Sequence, residues 1–289
     1  RWRRKDRLKN LPVDMIEKLK TYDKKSDLAR ITGIDDGEEE TVLDLTVKKG
    51  MNQGWFGNAD VAGGTEDRYM GRFMLNRFVD KTQVSVVGSA NNVNDQGFSG
   101  GGGPPRWRRN NGLTATKMLG VNFATQTDKL ELGGSARYNY QDGDIASIGS
   151  TEDFLPDGNS YSNSNSRQRN KAKNFNADFR MEWKPDSMTN IIFRPNFSYG
   201  KTDNLSNSES GTFSSDPYSL VSDPNNWLNL EKILNPDDDP LRSIRINAIN
   251  SGSLSDNKSV STDATLQLNR KLNDKGRNVT VPWKIRLYQ

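Results

Sequence analysis

The sequence predicts an all-β protein, built as an antiparallel up-and-down meander of about nine strands. Two features support this prediction: apolar residues recur with a period of two, and short polar turns separate the alternating runs. The clearest example lies within residues 174–199, where Phe175, Phe179 and Trp183 share one side of a run while Asp178 and Glu182 share the other. A tight turn and a second alternating run follow, so this stretch predicts a hairpin with one apolar and one polar face.

Composition limits the classes of protein that the chain can belong to. Of its 289 residues, 32% are hydrophobic, and the mean hydropathy is -0.86. Such values are typical of an alternating sheet with polar loops and also of partial disorder. No run approaches the length of an apolar membrane-spanning helix, and the basic start is not followed by the apolar run of an export signal.

The net charge of +4 is concentrated at one end of the chain. The first ten residues hold six of the 41 Lys and Arg residues and one of the 37 acidic residues, which leaves 35 bases and 36 acids elsewhere. Because the body is neutral and shows no stripe of one sign, we expect no nucleic-acid partner.

The sequence contains neither Cys nor His. This excludes catalytic Ser-His-Asp and Cys-His arrangements, histidine-based zinc sites and disulfide scaffolds. We therefore expect no enzymatic activity, no cofactor, and no catalytic or metal-binding residue.

The chain divides near residue 50. Local pattern leaves residues 12–22 open between a helical turn and a short strand, whereas residues 41–48 alternate leucine and valine with polar residues and predict a strand. We predict a small α+β region at residues 1–50 and a β-region at residues 51–289. Strands of the β-region are predicted at residues 54–63, 68–79, 83–91, 116–126, 129–141, 173–184, 189–200, 258–270 and 277–287.

The connections between these strands alternate in length. Short turns begin near Asp80, Asp128, Pro185 and Asp274, and the predicted long connections between them cover residues 92–115, 142–172 and 201–257. In a meander, alternate connections emerge at the same end, so the short turns share one end and the long connections the other. The turn at residues 63–67 is the one short connection at the long end.

This asymmetry and the alternating strands favour a partial transmembrane β-barrel. Outer-membrane barrels have short periplasmic turns, long outer loops, and strands with apolar residues outward and polar residues inward. Lipid would cover the apolar face, and the polar face would line a lumen. The alternative is a soluble secreted β-sheet protein that binds glycans or surfaces through its long loops.

Several segments, taken in order, resemble one protein family. LPVDMIEKLKTYDKKSD, TGIDDGEEETVLDLTVKKG and GWFGNADVAGGTEDRYMGRFMLNRF are similar to the junction of plug domain and barrel in TonB-dependent outer-membrane receptors. The likeness is to the branch in which the barrel follows a carboxypeptidase-regulatory-like N-terminal domain. TKMLGVNFATQTDKLELGGSARYNYQDGD and LNRKLNDKGRN resemble later parts of that branch, so the resemblance spans Leu8 to Val281.

The resemblance implies a function and a place in the cell. Residues 15–23 and 41–48 would be the last strands of the plug domain, and the barrel would begin near Gly54, with the short turns in the periplasm. The chain would be a fragment, containing the end of the plug and the first part of a barrel of about 22 strands. The intact receptor would lie in the cell outer membrane. It would contact lipid, bind a ligand of unknown identity at its extracellular loops, and import it with a TonB-type energising protein.

Candidate ligand-binding residues lie in the long connections. GFSGGGGPPRWRRNNG lacks the GxxxxGKS or GxxxxGKT order of a phosphate-binding loop. We therefore interpret it as an outer loop, in which Arg106, Trp107 and Arg108 combine cationic and aromatic side chains suited to a ligand. Tyr218 and Trp227 are further candidates for stacking on a ligand, although anchoring of their own loop is the favoured interpretation.

Two sets of acidic residues suggest a functional site, but a simpler structural role is favoured for each. Residues 237–239, with Asp142 and Asp144, suggest a calcium site, but no EF-hand spacing is present and solvated turn aspartates are favoured. Asp178 and Glu182 suggest acid-base chemistry, but their spacing along one strand favours a charge ladder facing the lumen.

Overall fold

The described part of the chain is dominated by β-strands. The computed structural model describes residues 16–25, 37, 39–47, 53–94, 112–156, 158–235, 238–273 and 277–288. The strands in these residues are β1 (Ile16–Lys25), β2 (Glu39–Val47), β3 (Gln53–Gly63), β4 (Tyr69–Val79), β5 (Thr82–Asn91), β6 (Gly112–Gln126), β7 (Leu130–Asp153), β8 (Ser160–Trp183), β9 (Thr189–Phe213), β10 (Arg245–Lys271) and β11 (Asn278–Tyr288). Among the described residues, no helix is long and apolar enough to span a membrane.

Strands β3 to β11 form one nine-stranded sheet in which spatial order follows chain order. Each strand pairs antiparallel with the next. The predicted all-β, nine-stranded antiparallel meander is therefore confirmed. Its hairpin at residues 174–199 is formed by the halves of β8 and β9 that lie nearest their connecting turn. Phe175 lies opposite Tyr199 and Trp183 opposite Ile191.

Strands β1 and β2 form a separate two-stranded antiparallel sheet. Residues 16–22, whose pattern fitted either a helical turn or a strand, are strand, and Leu19 lies opposite Leu45. The helical part of the predicted α+β region lies outside the described residues. So does the predicted boundary, which falls within residues 48–52.

Four short turns lie at one end of the sheet, as predicted. They join β4 to β5, β6 to β7, β8 to β9, and β10 to β11. The other end holds the two long connections, residues 92–111 and 214–244, and also two short ones, residues 64–68 and 154–159. At the β8–β9 turn, the Asp186 carboxylate accepts hydrogen bonds from the Met188 N–H at 2.8 Å and the Thr189 hydroxyl at 3.0 Å. Arg270 of β10 also reaches it, with Nη1 3.3 Å from Oδ2, so this carboxylate links three strands.

The predicted long connections at residues 142–172 and 201–257 are mostly strand, which corrects the sequence-based boundaries. Strands β7 and β8 have 24 residues each, β9 has 25 and β10 has 27. Serine, asparagine and threonine dominate these extensions, for example where Ser164 pairs with Ser210. Neighbouring strands satisfy the backbone hydrogen bonds there, but without an apolar side the sequence carries no period-two signal.

The two faces of the nine-stranded sheet differ in chemistry. Directly paired residues on neighbouring strands lie on the same face. Face A is the face that carries Phe175 and Trp183, and face B is the face that carries Asp178 and Glu182. A small cluster of buried apolar residues, Met74, Val87 and Met118, lies on face B.

Glycine at position 57 allows the β3 backbone to approach β4 closely. A Cβ on Gly57 would lie 2.3 Å from the Met74 carbonyl oxygen, whereas a Cβ on Gly71 of β4 would meet nothing within 4 Å. We predict that Gly57→Ala lowers the free energy of unfolding by about 1–3 kcal/mol because backbone must move. Gly71→Ala is the matched control and should change it by less than about 1 kcal/mol. Equal denaturant midpoints for the two variants would contradict this.

The β8–β9 turn should weaken in acid. The Met188 N–H, followed by the Thr189 hydroxyl, lowers the pKa of Asp186 below its ordinary value of 3.8. Its stabilising effect is therefore complete above pH 3.8 and is lost as the pH falls through the lower, folded-state value. We predict that the difference in denaturant midpoint between wild type and Asp186→Asn is constant near neutral pH and shrinks below pH 3.8. A difference that does not vary with pH would show that the charge is irrelevant.

Candidate functional site

Face A carries an apolar band across the sheet, interrupted on β4 by Arg77, whose guanidinium lies 5.0 Å from the centroid of the Trp55 ring. The upper edge of the band is one register-aligned row on β6 to β10: Leu119, Tyr138, Phe175, Tyr199 and Val260. Its lower edge, near the short turns, is the row Leu130, Trp183, Ile191 and Leu268. At about 3.3 Å per residue, the band on β8 measures about 26 Å along the strand.

On several strands the apolar side chains of face A are exposed, whereas polar side chains of face B are buried. On β4, Phe73 and Leu75 of face A are each 42% exposed, while Met74 and Asn76 of face B are 7% and 6% exposed. At both ends of the sheet, Trp55 on β3 and Trp283 on β11 are exposed face-A residues, but there the polar residues of face B are exposed or half-buried as well. Where the contrast holds, within the described residues, it is the reverse of a sheet that buries its apolar face in water.

Face B carries a polar network near the short turns. Glu182 is 2% exposed, and its carboxylate receives hydrogen bonds from Arg180 Nη2 at 2.9 Å and Asn190 Nδ2 at 3.0 Å. Lys184 Nζ lies 3.3 Å from the same carboxylate. Asp178 accepts a short hydrogen bond from the Ser135 hydroxyl. These carboxylates are occupied by neighbouring donors, an arrangement that fits the predicted charge ladder rather than acid-base chemistry.

Above the apolar band, face A becomes charged. Arg167 donates to both oxygens of Asp144, at 3.1 and 2.7 Å, and Arg169 donates to both oxygens of Asp142, at 3.4 and 3.3 Å. These hydrogen bonds from Arg167 lower the pKa of Asp144. The described residues contain no group of three acidic side chains that could hold a metal ion, and residue 237 lies outside them. Asp142 and Asp144 of the suggested calcium group are thus each paired with an arginine.

Residues 214–244, which we call the outer segment, connect β9 to β10. They contain two short 3-10 helices, Pro217–Ser219 and Pro224–Trp227, and the helix α1 (Leu230–Leu234). Each 3-10 helix begins with an Asp-Pro pair, in which the Asp side chain accepts a backbone N–H and Pro takes the first helical position. The two Asp-Pro pairs are therefore a local sequence signal for these short helices.

The outer segment is fixed to face A of β8 and β9. Phe213, Leu228 and Leu241 form a buried apolar cluster, and Leu228 lies so close to Gly211 that a Cβ there would be 2.9 Å from its Cδ2. Arg245 lies beside this cluster, pairs with Asp239 through a short contact, and donates to the Trp227 carbonyl at 3.0 Å.

Asn225 supplies the polar part of this attachment. Its Oδ1 accepts from Asn163 Nδ2 at 2.7 Å, and its Nδ2 donates to the Ser164 carbonyl at 2.9 Å and to Asn165 Oδ1 at 3.0 Å. Asn165 Nδ2 donates in return to the Asn225 carbonyl at 2.8 Å. Asn225 is 4% exposed, so these bonds replace the water that it loses.

Two of the predicted ligand-binding residues, Tyr218 and Trp227, lie in the outer segment. Tyr218 is 49% exposed, and its hydroxyl lies 3.4 Å from Asn163 Nδ2. Trp227 packs against the cluster of the outer segment, with Lys232 Nζ 4.8 Å from its ring centroid. Both residues make contacts that suit anchoring, which was the favoured interpretation, and their binding of a ligand stays a prediction. Arg106, Trp107 and Arg108 lie outside the described residues.

Sequence analysis missed Asn225 and Arg245, which hold the outer segment in place. Asn225 follows an Asp-Pro pair, which indicates the local turn but not its contact with Asn163, 62 residues earlier. Arg245 and Asp239 are six residues apart and have no periodic signal.

No protein-family model matches the chain, and a search of curated proteins found no significant match.

Removing the Asn225 side chain should release the outer segment. We predict that Asn225→Ala costs about 1–3 kcal/mol locally, because Asn163 and Asn165 lose their buried partner. Asn226→Ala is the matched control, since the exposed Asn226 side chain bonds to Asp223, three residues earlier. Hydrogen exchange within residues 214–244 should accelerate in the first variant and stay at the wild-type rate in the second. Unchanged exchange in both would show that the apolar cluster alone fixes the segment.

Proposed function

We propose that the chain is part of a TonB-dependent outer-membrane receptor. Strands β3 to β11 cross the outer membrane as part of a barrel, and β1 and β2 belong to the end of its plug domain. The intact receptor binds a ligand at its outer loops and imports it when a TonB-type protein rearranges the plug. The mechanism is binding and gating, without covalent chemistry.

One observation carries the membrane part of this proposal: the exposed apolar band on face A. Exposed aromatic and aliphatic side chains on eight of the nine neighbouring strands would destabilise a sheet in water, whereas hydrocarbon removes that cost. The band is about 26 Å long on β8, which at the strand tilt of about 35–45° in outer-membrane barrels corresponds to a height of about 20 Å, somewhat less than their apolar band of about 25 Å. Tyr138 and Tyr199 lie at its upper edge and Trp183 at its lower edge, where barrels have aromatic girdles.

Connection length supports one orientation, because both long connections, residues 92–111 and 214–244, lie at the end opposite the Asp186 turn. Outer-membrane barrels place short turns in the periplasm and long connections outside. The turn that contains Asp186 then faces the periplasm, and the outer segment faces the exterior. The polar network around Glu182 lines the lumen near its periplasmic end, where buried charges are tolerated because they face the interior of the barrel.

A charge placed on each face tests the proposal. Val121 is a face-A residue on β6, one row below the upper edge of the band, and the adjacent Asn122 is a face-B residue between Ser85 and Ser135. In lipid, Val121→Arg should cost about 1–3 kcal/mol, whereas Asn122→Arg should change stability by less than about 1 kcal/mol. The measurement is the fraction of full chain that acquires heat-dependent gel mobility after refolding into lipid vesicles.

A soluble secreted β-protein predicts the opposite order. In water, Val121→Arg adds a charge to an exposed side chain and should be tolerated, while Asn122→Arg enlarges a half-buried one. A chain that stays in the soluble fraction, shows no heat-dependent mobility and follows this reversed order would refute the membrane assignment.

A further inference from the structure

A row of lysines lies directly above the apolar band on face A. Lys173 of β8 pairs in register with Lys201 of β9, which pairs with Lys258 of β10. On the other side of Lys173 lie Tyr140 of β7 and then Lys117 of β6. We call Lys117, Lys173, Lys201 and Lys258 the lysine row. It occupies the first face-A position beyond the aromatic upper edge of the band, in one register row that crosses β6 to β10.

Such a row is unfavourable in an isolated sheet. Paired side chains on neighbouring strands start about 5 Å apart, and like charges directly opposite each other are destabilising. Lys201 is compensated, because its Nζ lies 3.3 Å from an oxygen of Asp203 and 3.3 Å from an oxygen of Asp256. Lys173 and Lys258 on either side are exposed and have no carboxylate partner within the described part of the chain.

The other acidic residues above the band are already paired with other cations. Asp144 binds Arg167, and Asp142 binds both Arg169 and Lys171. The lysine row and the three face-A rows above it together contain seven cations and four carboxylates on β6 to β10. Three positive charges therefore remain, and the cations without a partner lie at the lower edge, next to the band.

We propose that the lysine row binds the phosphate groups of lipid head groups in the outer leaflet. This inference rests on the proposed function, because it needs the apolar band to lie in hydrocarbon. Head-group phosphates then lie at the height of the aromatic edge, where long lysine stems follow apolar surface and place their ammonium groups in the polar layer. A lysine ammonium is a compact point charge that suits phosphate in many orientations.

Binding of an anionic lipid tests the site. The full chain is placed in nanodiscs of phosphatidylcholine that contain a minority of phosphatidic acid, and native mass spectrometry measures the ratio of the two lipids retained. Wild type should be enriched in phosphatidic acid, and Lys173→Gln with Lys258→Gln should reduce that enrichment about tenfold. The matched control is Lys271→Gln with Lys284→Gln, which removes two exposed lysines from face B and should leave the enrichment unchanged.

The outcomes separate this inference from the proposed function. If all variants insert with heat-dependent mobility but wild type and the Lys173 and Lys258 double variant retain the same lipid ratio, the lipid site is wrong and the membrane assignment stands. An equal loss in both double variants would show a general effect of net charge and would also overturn the site. If wild type fails to insert into any bilayer, the proposed function fails, and the lipid site with it.

Discussion

The structure depends on one constraint, the alternation of side chains along strands that keep one register with their neighbours across the apolar band. Because register aligns nine strands, alternation in each becomes a property of whole faces. The same geometry that presents Phe73 and Leu75 outward places Met74 and Asn76 inward. A shift of one residue in any strand would exchange the two faces, so register and the chemistry of the surfaces are inseparable.

The chemistry of face A changes along the strands, from the short turns towards the outer segment. Rows of aromatic and aliphatic residues give way within one step to lysines, and higher up to arginine–aspartate pairs and then to the attached outer segment. Each level suits a different environment: hydrocarbon, a polar interface and water. The polar network around Glu182 on face B has no such layering within the described residues, as expected for a surface that faces one environment throughout.

The alternating sequence allowed most of the sheet to be predicted, and the failures have physical causes. Boundaries of β3 to β5 and β11 were predicted within one residue, because apolar residues mark one side and turn residues mark the ends. The upper halves of β7 to β10 were missed because serine and asparagine fill both sides there, and strand pairing alone holds them extended. The attachment through Asn225 was beyond reach, since it joins positions about 60 residues apart. Trp227 was chosen for its chemistry, which serves equally for anchoring.

The unequal height of the strands has a mechanical consequence. Four long strands, β7 to β10, continue upward without interruption, so their extension is one plate, stiff along the strands and pliable across them. A push on residues 214–244 would be transmitted down the ladder as a tilt of whole strands, because local bending would break several backbone hydrogen bonds. We therefore expect the upper halves of β7 to β10 to tilt together, about the row of aromatic side chains Tyr138, Phe175 and Tyr199.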